Sequence, residues 1–375
     1  MEQIDTLIRA RWILPVEPDD QILEHHSIAI SEGKIVDLLP ISSAEQRYRA
    51  QEVHTLNNYA LIPGLINAHT HAAMSLLRGF ADDLPLNEWL NKHIWPAEAA
   101  HVSPSFVNDG SELAIAEMIR SGTTCFNDMY FFPEITADIA AQAGIRATLG
   151  MILFDFPTAY AQGPEEYMQK GLELYDNYKD HPLIQTAFAP HAPYTVSNAP
   201  LEKLRAIAAE IGCQIHMHIH ETAHEVSESV SNEGMRPLER LERLGLLTPE
   251  LMAVHMTQLS DTEINAIADN GCHVIHCPES NMKLASGFCP VQRLINGGIN
   301  VALGTDGAAS NNDLDMFGEM RTANFVSKLK TMNAESLPAN DSLRMATISG
   351  AKVLGLAHKI GSLEIGKQAD CIAID

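Results

Sequence analysis

The chain has 375 residues, 46% of them hydrophobic and 19% charged, an ordinary globular balance that argues against disorder. Its 48 acidic and 25 basic residues leave a formal charge of −23, which sets it against phosphate backbones and anionic membrane surfaces, so neither nucleic acid nor membrane is an expected partner. No apolar run approaches the roughly 18 residues of a membrane span, and Met1-Glu2-Gln3-Ile4-Asp5 lacks the basic-then-apolar order of a signal peptide.

The six cysteines, Cys125, Cys213, Cys272, Cys277, Cys289 and Cys371, are scattered without a C-x-x-C pair. They read as buried thiols in a reducing compartment, the cytoplasm.

In chain order, residues 1–62 are expected to form short strands at 6–16, 27–30, 34–39 and 55–61, with Ser31-Glu32-Gly33 as a hairpin turn. From Pro63 the pattern changes to β-branched apolar runs alternating with stretches of helical period. Several of those helices end in a glycine that leads into the next strand, as in Gln142-Ala143-Gly144, Glu210-Ile211-Gly212 and Asp269-Asn270-Gly271. The resulting strands, near 65–69, 123–127, 146–152, 184–190, 213–218, 251–255, 272–277 and 300–304, number eight. Eight βα units in about 250–290 residues is the size of a closed parallel barrel. An open doubly wound sheet competes, but no Gly-x-Gly-x-x-Gly loop is present to anchor a nucleotide.

The expected architecture is α/β: a (β/α)8 TIM barrel over residues 63–355, with a small β-sandwich domain formed from both chain ends, 1–62 and 356–375. The tail, from Gly361-Ser362-Leu363 to Ala373-Ile374-Asp375, reads as turn, strand, turn, strand, cut off within a β element.

Polar residues recur at the strand ends, where barrel enzymes keep their sites. His69-Thr70-His71 closes the first barrel strand, and residues two apart on a strand share a face. His191 follows the fourth strand, and His216, His218 and His220 alternate along the fifth before Glu221. His255 ends the sixth and Asp306 the eighth. Three or four of these converging on one ion is the economical reading. His216, His220, His273 and His276 are expected to be structural, and His54, His93, His101, His181 and His224 to lie at the surface.

The runs Pro63-Gly64-Leu65-Ile66-Asn67-Ala68-His69-Thr70-His71, His218-Ile219-His220-Glu221-Thr222 and Gly304-Thr305-Asp306-Gly307-Ala308-Ala309-Ser310-Asn311-Asn312 resemble the amidohydrolase superfamily, and within it the 5-methylthioadenosine/S-adenosylhomocysteine deaminases. The likeness spans nearly the whole chain. It implies one catalytic zinc per subunit, held by His69, His71, His218 and Asp306; iron or manganese suits the same ligands. No lysine on the fourth strand offers the bridging ligand of a two-metal site. The resemblance further implies that His255 sits near the reacting water, Glu98 binds the ribose hydroxyls, His191 meets the purine ring and Trp89 lines the pocket. Glu221 is the proton shuttle, because deaminating an adenine ring needs a proton at a ring nitrogen and another on the departing ammonia. Asp306 both binds metal and accepts the water's proton, so Glu221 and Asp306 touch substrate.

The loop after the third barrel strand, Gly150-Met151-Ile152-Leu153-Phe154-Asp155-Phe156-Pro157, carries no arginine. A carboxylate on the substrate's 5′ group would have no cationic partner there, whereas a methylthio group gains from apolar contact. The expected reaction is therefore 5′-methylthioadenosine to 5′-methylthioinosine and ammonia. Its alternatives are S-adenosylhomocysteine or adenosine deamination, deamination of guanine, 8-oxoguanine or cytosine, a triazine hydrolase, and, from another class, a catalytically silent barrel that serves as a binding protein. A homo-oligomer is expected.

Overall fold

The computed structural model describes residues 1–375. Its first sheet gathers the two chain ends. Strands β1 (Glu2–Ile13), β2 (Leu23–Ser31), β3 (Lys34–Pro40) and β4 (Tyr48–Pro63) are joined by β13 (Cys371–Ile374), in the order β13-β4-β1-β2-β3. The β2–β3 hairpin turns at Glu32 and Gly33, as expected. β4 runs parallel to β1 and is longer than its apolar stretch suggested, since its first half is largely exposed and polar. A short helix, Ile41–Arg47, buries Ala44 against this sheet and carries no sequence signal strong enough to mark it.

Of the two C-terminal strands expected, only Cys371–Ile374 forms. Residues 361–366 are irregular because their backbone groups bond to other segments: Leu363 N–H donates to Pro15 O (2.9 Å) and Gly366 N–H to Ile35 O (2.8 Å). This stretch is thus tied to the first sheet by single bonds, and only β13 extends the sheet as a ladder, antiparallel to β4. Arg146 reaches Asp370 (2.7 Å) and ties the tail to the barrel wall.

All eight expected barrel strands are present: β5 (Leu65–Thr70), β6 (Thr123–Asp128), β7 (Arg146–Leu153), β8 (Ile184–Pro190), β9 (Ile215–Ile219), β10 (Leu251–His255), β11 (His273–His276) and β12 (Val301–Leu303). Each pairs in parallel with the next. Helices separate them, and glycine closes several in the left-handed conformation, as Gly212 does (φ 67°) after Asn198–Ile211. No helix is long and apolar enough to cross a membrane.

β12 meets β5 through Asp306 N–H to His69 O (3.0 Å), Thr305 N–H to Asn67 Oδ1 (3.0 Å) and Asn67 Nδ2–H to Thr305 Oγ1 (2.7 Å). The seam is tight enough that a Cβ on Gly304 would lie 2.7 Å from His69 N. The opposite end is sealed by the helix Ile348–Val353. Its neighbourhood accepts hydrogen bonds from the first residues of four strands or their leads: Ile66 N–H to Ala346 O, Gln185 to Leu354 O, Gln214 to Val353 O and Asn300 to Ser349 O. Ile66, Ala68, Ala187, Met252, Val254, Ile275 and Ala302 pack with Ile348 and Ala351 into a dry floor. Only the C-terminal ends of the strands are left open to a ligand.

Gly304→Ala tests the seam. The added methyl has backbone as its nearest neighbour, so overpacking is expected to cost about 1–3 kcal/mol, read as a lower urea midpoint with unchanged slope. A midpoint equal to the parent's would contradict the tight closure.

Candidate active site

The strand ends that open into this mouth carry strained backbone. His220, His255 and Asp306 all adopt left-handed conformations, with φ of 53°, 75° and 62°, which non-glycine residues hold only where the surroundings impose them. The chain turns sharply where each strand stops. Glu225 braces one of these turns, its two carboxylate oxygens accepting the N–H groups of His220 (2.9 Å) and Glu221 (2.7 Å).

His69, His71, His218 and Asp306 meet at one point, with one potential ligand atom from each within 4.8 Å of all the others. His69 Nε2 and His71 Nε2 lie 3.3 and 3.2 Å from Asp306 Oδ1, and His218 Nε2 lies 3.2 Å from His69 Nε2. The outer ring nitrogens settle two tautomers. His71 Nδ1 faces Met129 O and His218 Nδ1 faces His191 O (2.8 Å). A carbonyl can only accept, so both Nδ1 atoms carry the proton and both Nε2 lone pairs face inward. Three imidazoles and a carboxylate converging on one point, two of the rings with lone pairs turned inward, fit one zinc ion, and also iron or manganese. Asp306 suits this role. Burial alone would raise its pKa, but contact with His69 and His71 holds it well below the usual carboxylate range. Its Oδ2 accepts from Ser280 Oγ (2.6 Å).

Glu221 and His255 stand beside this group and outside it. His255 Nε2 is 3.6 Å from Glu221 Oε2, while Ser286 Oγ–H donates to Glu221 Oε1 (3.3 Å). Burial, then Asp306 and Glu225, push the Glu221 pKa well above the ordinary range. Burial pushes His255 down to about 3, so it is a neutral ring. Asn281 Nδ2, 2.9 Å away, occupies its Nδ1 and leaves Nε2–H directed to the Glu221 side.

A mainly hydrophobic cavity, partly open to solvent, spreads from these residues, with a few polar groups converging on it in the manner of a small-ligand site. His191, Glu98 and Trp89 line it, as the sequence led us to expect, together with Trp95, Tyr130, Phe131, Phe154, Tyr194 and Ser310. The His191 ring stacks on Phe154 (4.7 Å between centroids, 27° between planes), and burial pushes its pKa down to about 3. Glu98 is the one carboxyl of the cavity away from the histidine group. Burial pushes its pKa up to about 7, and Tyr130 donates to it (2.8 Å). Trp89 is almost fully buried, its N–H directed to Phe80 O (3.4 Å). No lysine or arginine lines the cavity. Of the run 150–157, expected as a loop but belonging to β7 as far as Leu153, Ile152 and Phe154 reach the cavity, whereas Met151 is buried elsewhere in the core.

Of the histidines read as structural, His220 accepts Leu238 N–H (3.2 Å), and His273 and His276 stay outside the converging group. His216 is fully buried and lies against the centre itself, its Nε2 2.9 Å from His69 Nδ1. Residues that the sequence reading passed over include Asp128, which ends β6, Tyr130, which follows it, and Ser280, Asn281 and Ser286, which follow β11. Asp128 accepts Ala72 N–H (2.7 Å) and so fixes the chain just past His71; burial pushes its pKa up to about 6. These residues share the strand-end address that marked the histidines, and that address was the signal available for finding them.

The amidohydrolase family model matches residues 60–375. A 5-methylthioadenosine/S-adenosylhomocysteine deaminase of Saccharophagus degradans is 52% identical over 371 residues, 99% of this chain and 83% of that protein. One from Teredinibacter turnerae is 53% identical over 372 residues, 99% of this chain and 84% of its own length. The crystal structure of an adenosine deaminase from Xanthomonas campestris with bound zinc superposes with a TM-score of 0.99 at 52% identity, covering 100% of this chain and 85% of that one. The chain belongs to the amidohydrolase family and, within it, to the 5-methylthioadenosine/S-adenosylhomocysteine deaminases.

Proposed function

We propose that this protein is a zinc-dependent hydrolytic deaminase whose preferred substrate is 5′-methylthioadenosine, converted to 5′-methylthioinosine and ammonia. In this reading residues 63–355 are the catalytic unit and the chain ends a small accessory domain. The observation that carries it is Glu221: a buried carboxyl at the cavity wall, outside the ligand group and 3.6 Å from His255 Nε2, where burial raises its affinity for a proton. Ring deamination needs such an acid, since both a ring nitrogen and the departing amine must take up a proton. The deaminase names of the relatives and the zinc of the Xanthomonas structure support the same reaction.

His69, His71, His218 and Asp306 would hold the ion. A bound zinc ion makes water reactive at neutral pH by lowering its pKa from about 15.7 to roughly 7. Glu221, as the acid, gives its proton to the ring nitrogen beside the carbon under attack, which leaves that carbon electron-poor. Asp306 accepts one proton of the attacking water and passes it to the amine, which leaves as ammonia as the C–N bond breaks; the remaining hydroxyl proton returns to Glu221 as the new C–O bond becomes a carbonyl, so both carboxyls regain their starting states. His255, neutral and with Nε2–H available, donates a hydrogen bond to the incoming oxygen and steadies Glu221. His191, stacked on Phe154, presents a flat polarised edge to the purine. Glu98 accepts from the ribose hydroxyls, and Trp89 closes the wall behind them.

The cavity's aromatic lining and its lack of cations favour a thioether over a zwitterionic amino-acid tail at the 5′ position. The adjoining hollow does not supply a cation. Its Arg240 is engaged by Asn198 (2.7 Å), Pro193 O and Val196 O (2.9 Å), beside Glu225, Glu228 and Glu233. The six free cysteines support a cytoplasmic setting, and the exposed Phe325 and Leu329, one turn apart on the helix Met316–Thr331, support a homo-oligomer.

Ammonia release and loss of adenine absorbance, measured on 5′-methylthioadenosine, S-adenosylhomocysteine, adenosine and guanine in parallel, test the reaction. The methylthio substrate is expected to lead S-adenosylhomocysteine in kcat/KM by about tenfold or more; comparable values would refute the apolar 5′ pocket, and turnover of guanine alone would sink the substrate class. Glu221→Gln is expected to lower kcat by about 10²–10⁴-fold with zinc content unchanged. A variant that keeps the parent kcat would remove Glu221 from the chemistry.

A further inference from the structure

Glu98 does not stand alone in the cavity wall. It comes from the helix Trp95–His101, part of the segment that covers the mouth, while Tyr130 follows β6 on the barrel itself. The Tyr130 ring is buried, packed beside Phe131 (5.2 Å between centroids). Its hydroxyl has one proton and spends it on Glu98 Oε1, 2.8 Å away. Glu98 Oε1 is the only oxygen of that carboxylate with a protein partner, so Oε2 is free for a ligand. A single hydrogen bond across the gap between wall and cover therefore fixes the rotation of the carboxylate. The same bond favours the anion over the acid, since a phenol donates best to a charged oxygen. An ionised, rotationally fixed carboxylate accepts from two adjacent hydroxyls at once; a freely turning or protonated one does not.

We propose that Tyr130 is a positioning residue for sugar recognition: by holding Glu98 it makes the site select a vicinal diol, hence ribonucleosides over 2′-deoxyribonucleosides. The inference rests on the reading of the cavity as a nucleoside site and adds to it the discrimination at the sugar and the residue responsible. Tyr130 acts through Glu98 and does not touch the reacting atoms. Its loss should therefore show in substrate binding and leave the chemical step in place.

The test compares 5′-methylthioadenosine with its 2′-deoxy analogue in the parent and in Tyr130→Phe, which keeps the ring and its packing. For the ribonucleoside the variant is expected to raise KM about tenfold, the scale of one hydrogen bond to a charged group, with kcat within about twofold. The 2′-deoxy substrate should change little, so the ribo/deoxy selectivity collapses by the same factor. In a Glu98→Ala background, Tyr130→Phe should then add nothing. An equal loss on both substrates, a fall in kcat instead of a rise in KM, or an undiminished effect without Glu98 would each overturn the proposal. If the parent turns over no adenosine derivative at all, the functional reading itself fails and takes the inference with it, an outcome seen before any variant is made.

Discussion

An imidazole lone pair turned toward a carboxylate oxygen 3.2 Å away, as His71 Nε2 is toward Asp306 Oδ1, repels it unless something positive lies between them. At the mouth of this barrel His71 and His218 are turned inward in that way, with His69 beside them and the Asp306 carboxylate opposite. Little water is available to relieve the repulsion, since three of the four residues are buried. The surrounding structure is arranged to sustain the arrangement: carbonyls of Met129 and His191 hold the outer nitrogens of His71 and His218, and Ser280 holds the far oxygen of Asp306. The barrel seam is made by the same residues, because His69 O receives the N–H of Asp306. Closing the barrel and assembling the centre are therefore one event.

The cavity follows from that arrangement. Once the ligand group occupies the strand ends, the remaining positions around it can only approach a ligand from the side, and they are mainly hydrophobic. The few polar groups among them have distinct assignments fixed by their surroundings. Burial raises the proton affinity of Glu221 and lowers that of His191 and His255, while at Glu98 the Tyr130 hydroxyl opposes the same burial and favours the anion, so the site pairs an acid with uncharged rings. Carboxyls and rings pushed in opposite directions by the same burial are how one cavity supplies acid and hydrogen-bond donor together.

Much of this was legible in the amino-acid order. The eight barrel strands announce themselves because each is a short apolar run entered through a glycine or a polar turn, and His69, His71, His218, His255 and Asp306 stand where those runs stop. The helix Ile41–Arg47 and the outer half of β4 were not legible, because both are polar or short and are held by pairing with distant residues. Residues 361–366 carry a strand-like pattern, yet their backbone groups bond to Pro15 and Ile35, a long-range choice that local pattern cannot reveal. The supporting polar residues, Tyr130, Asp128, Ser280, Asn281 and Ser286, went unread for a related reason. Such residues are common in loops, and only the folded geometry shows that Ser280, Asn281 and Ser286 end on Asp306, His255 and Glu221, Tyr130 on Glu98, and Asp128 on the backbone just past His71. His216 is the converse case: its alternation with His218 made it conspicuous, and its contact with His69 gives it a place against the centre that packing alone would not require.

The measurement that bears most directly on the whole is metal content of protein purified without chelator, for the parent and for His218→Ala, by elemental analysis alongside thermal melting. One equivalent of zinc, iron or manganese per chain in the parent, below about a tenth of an equivalent in the variant, and a lower melting temperature that chelator reproduces in the parent, is the outcome expected if one ion neutralises the converging lone pairs. A full equivalent retained by His218→Ala, or a parent that melts identically with and without its metal, would contradict it.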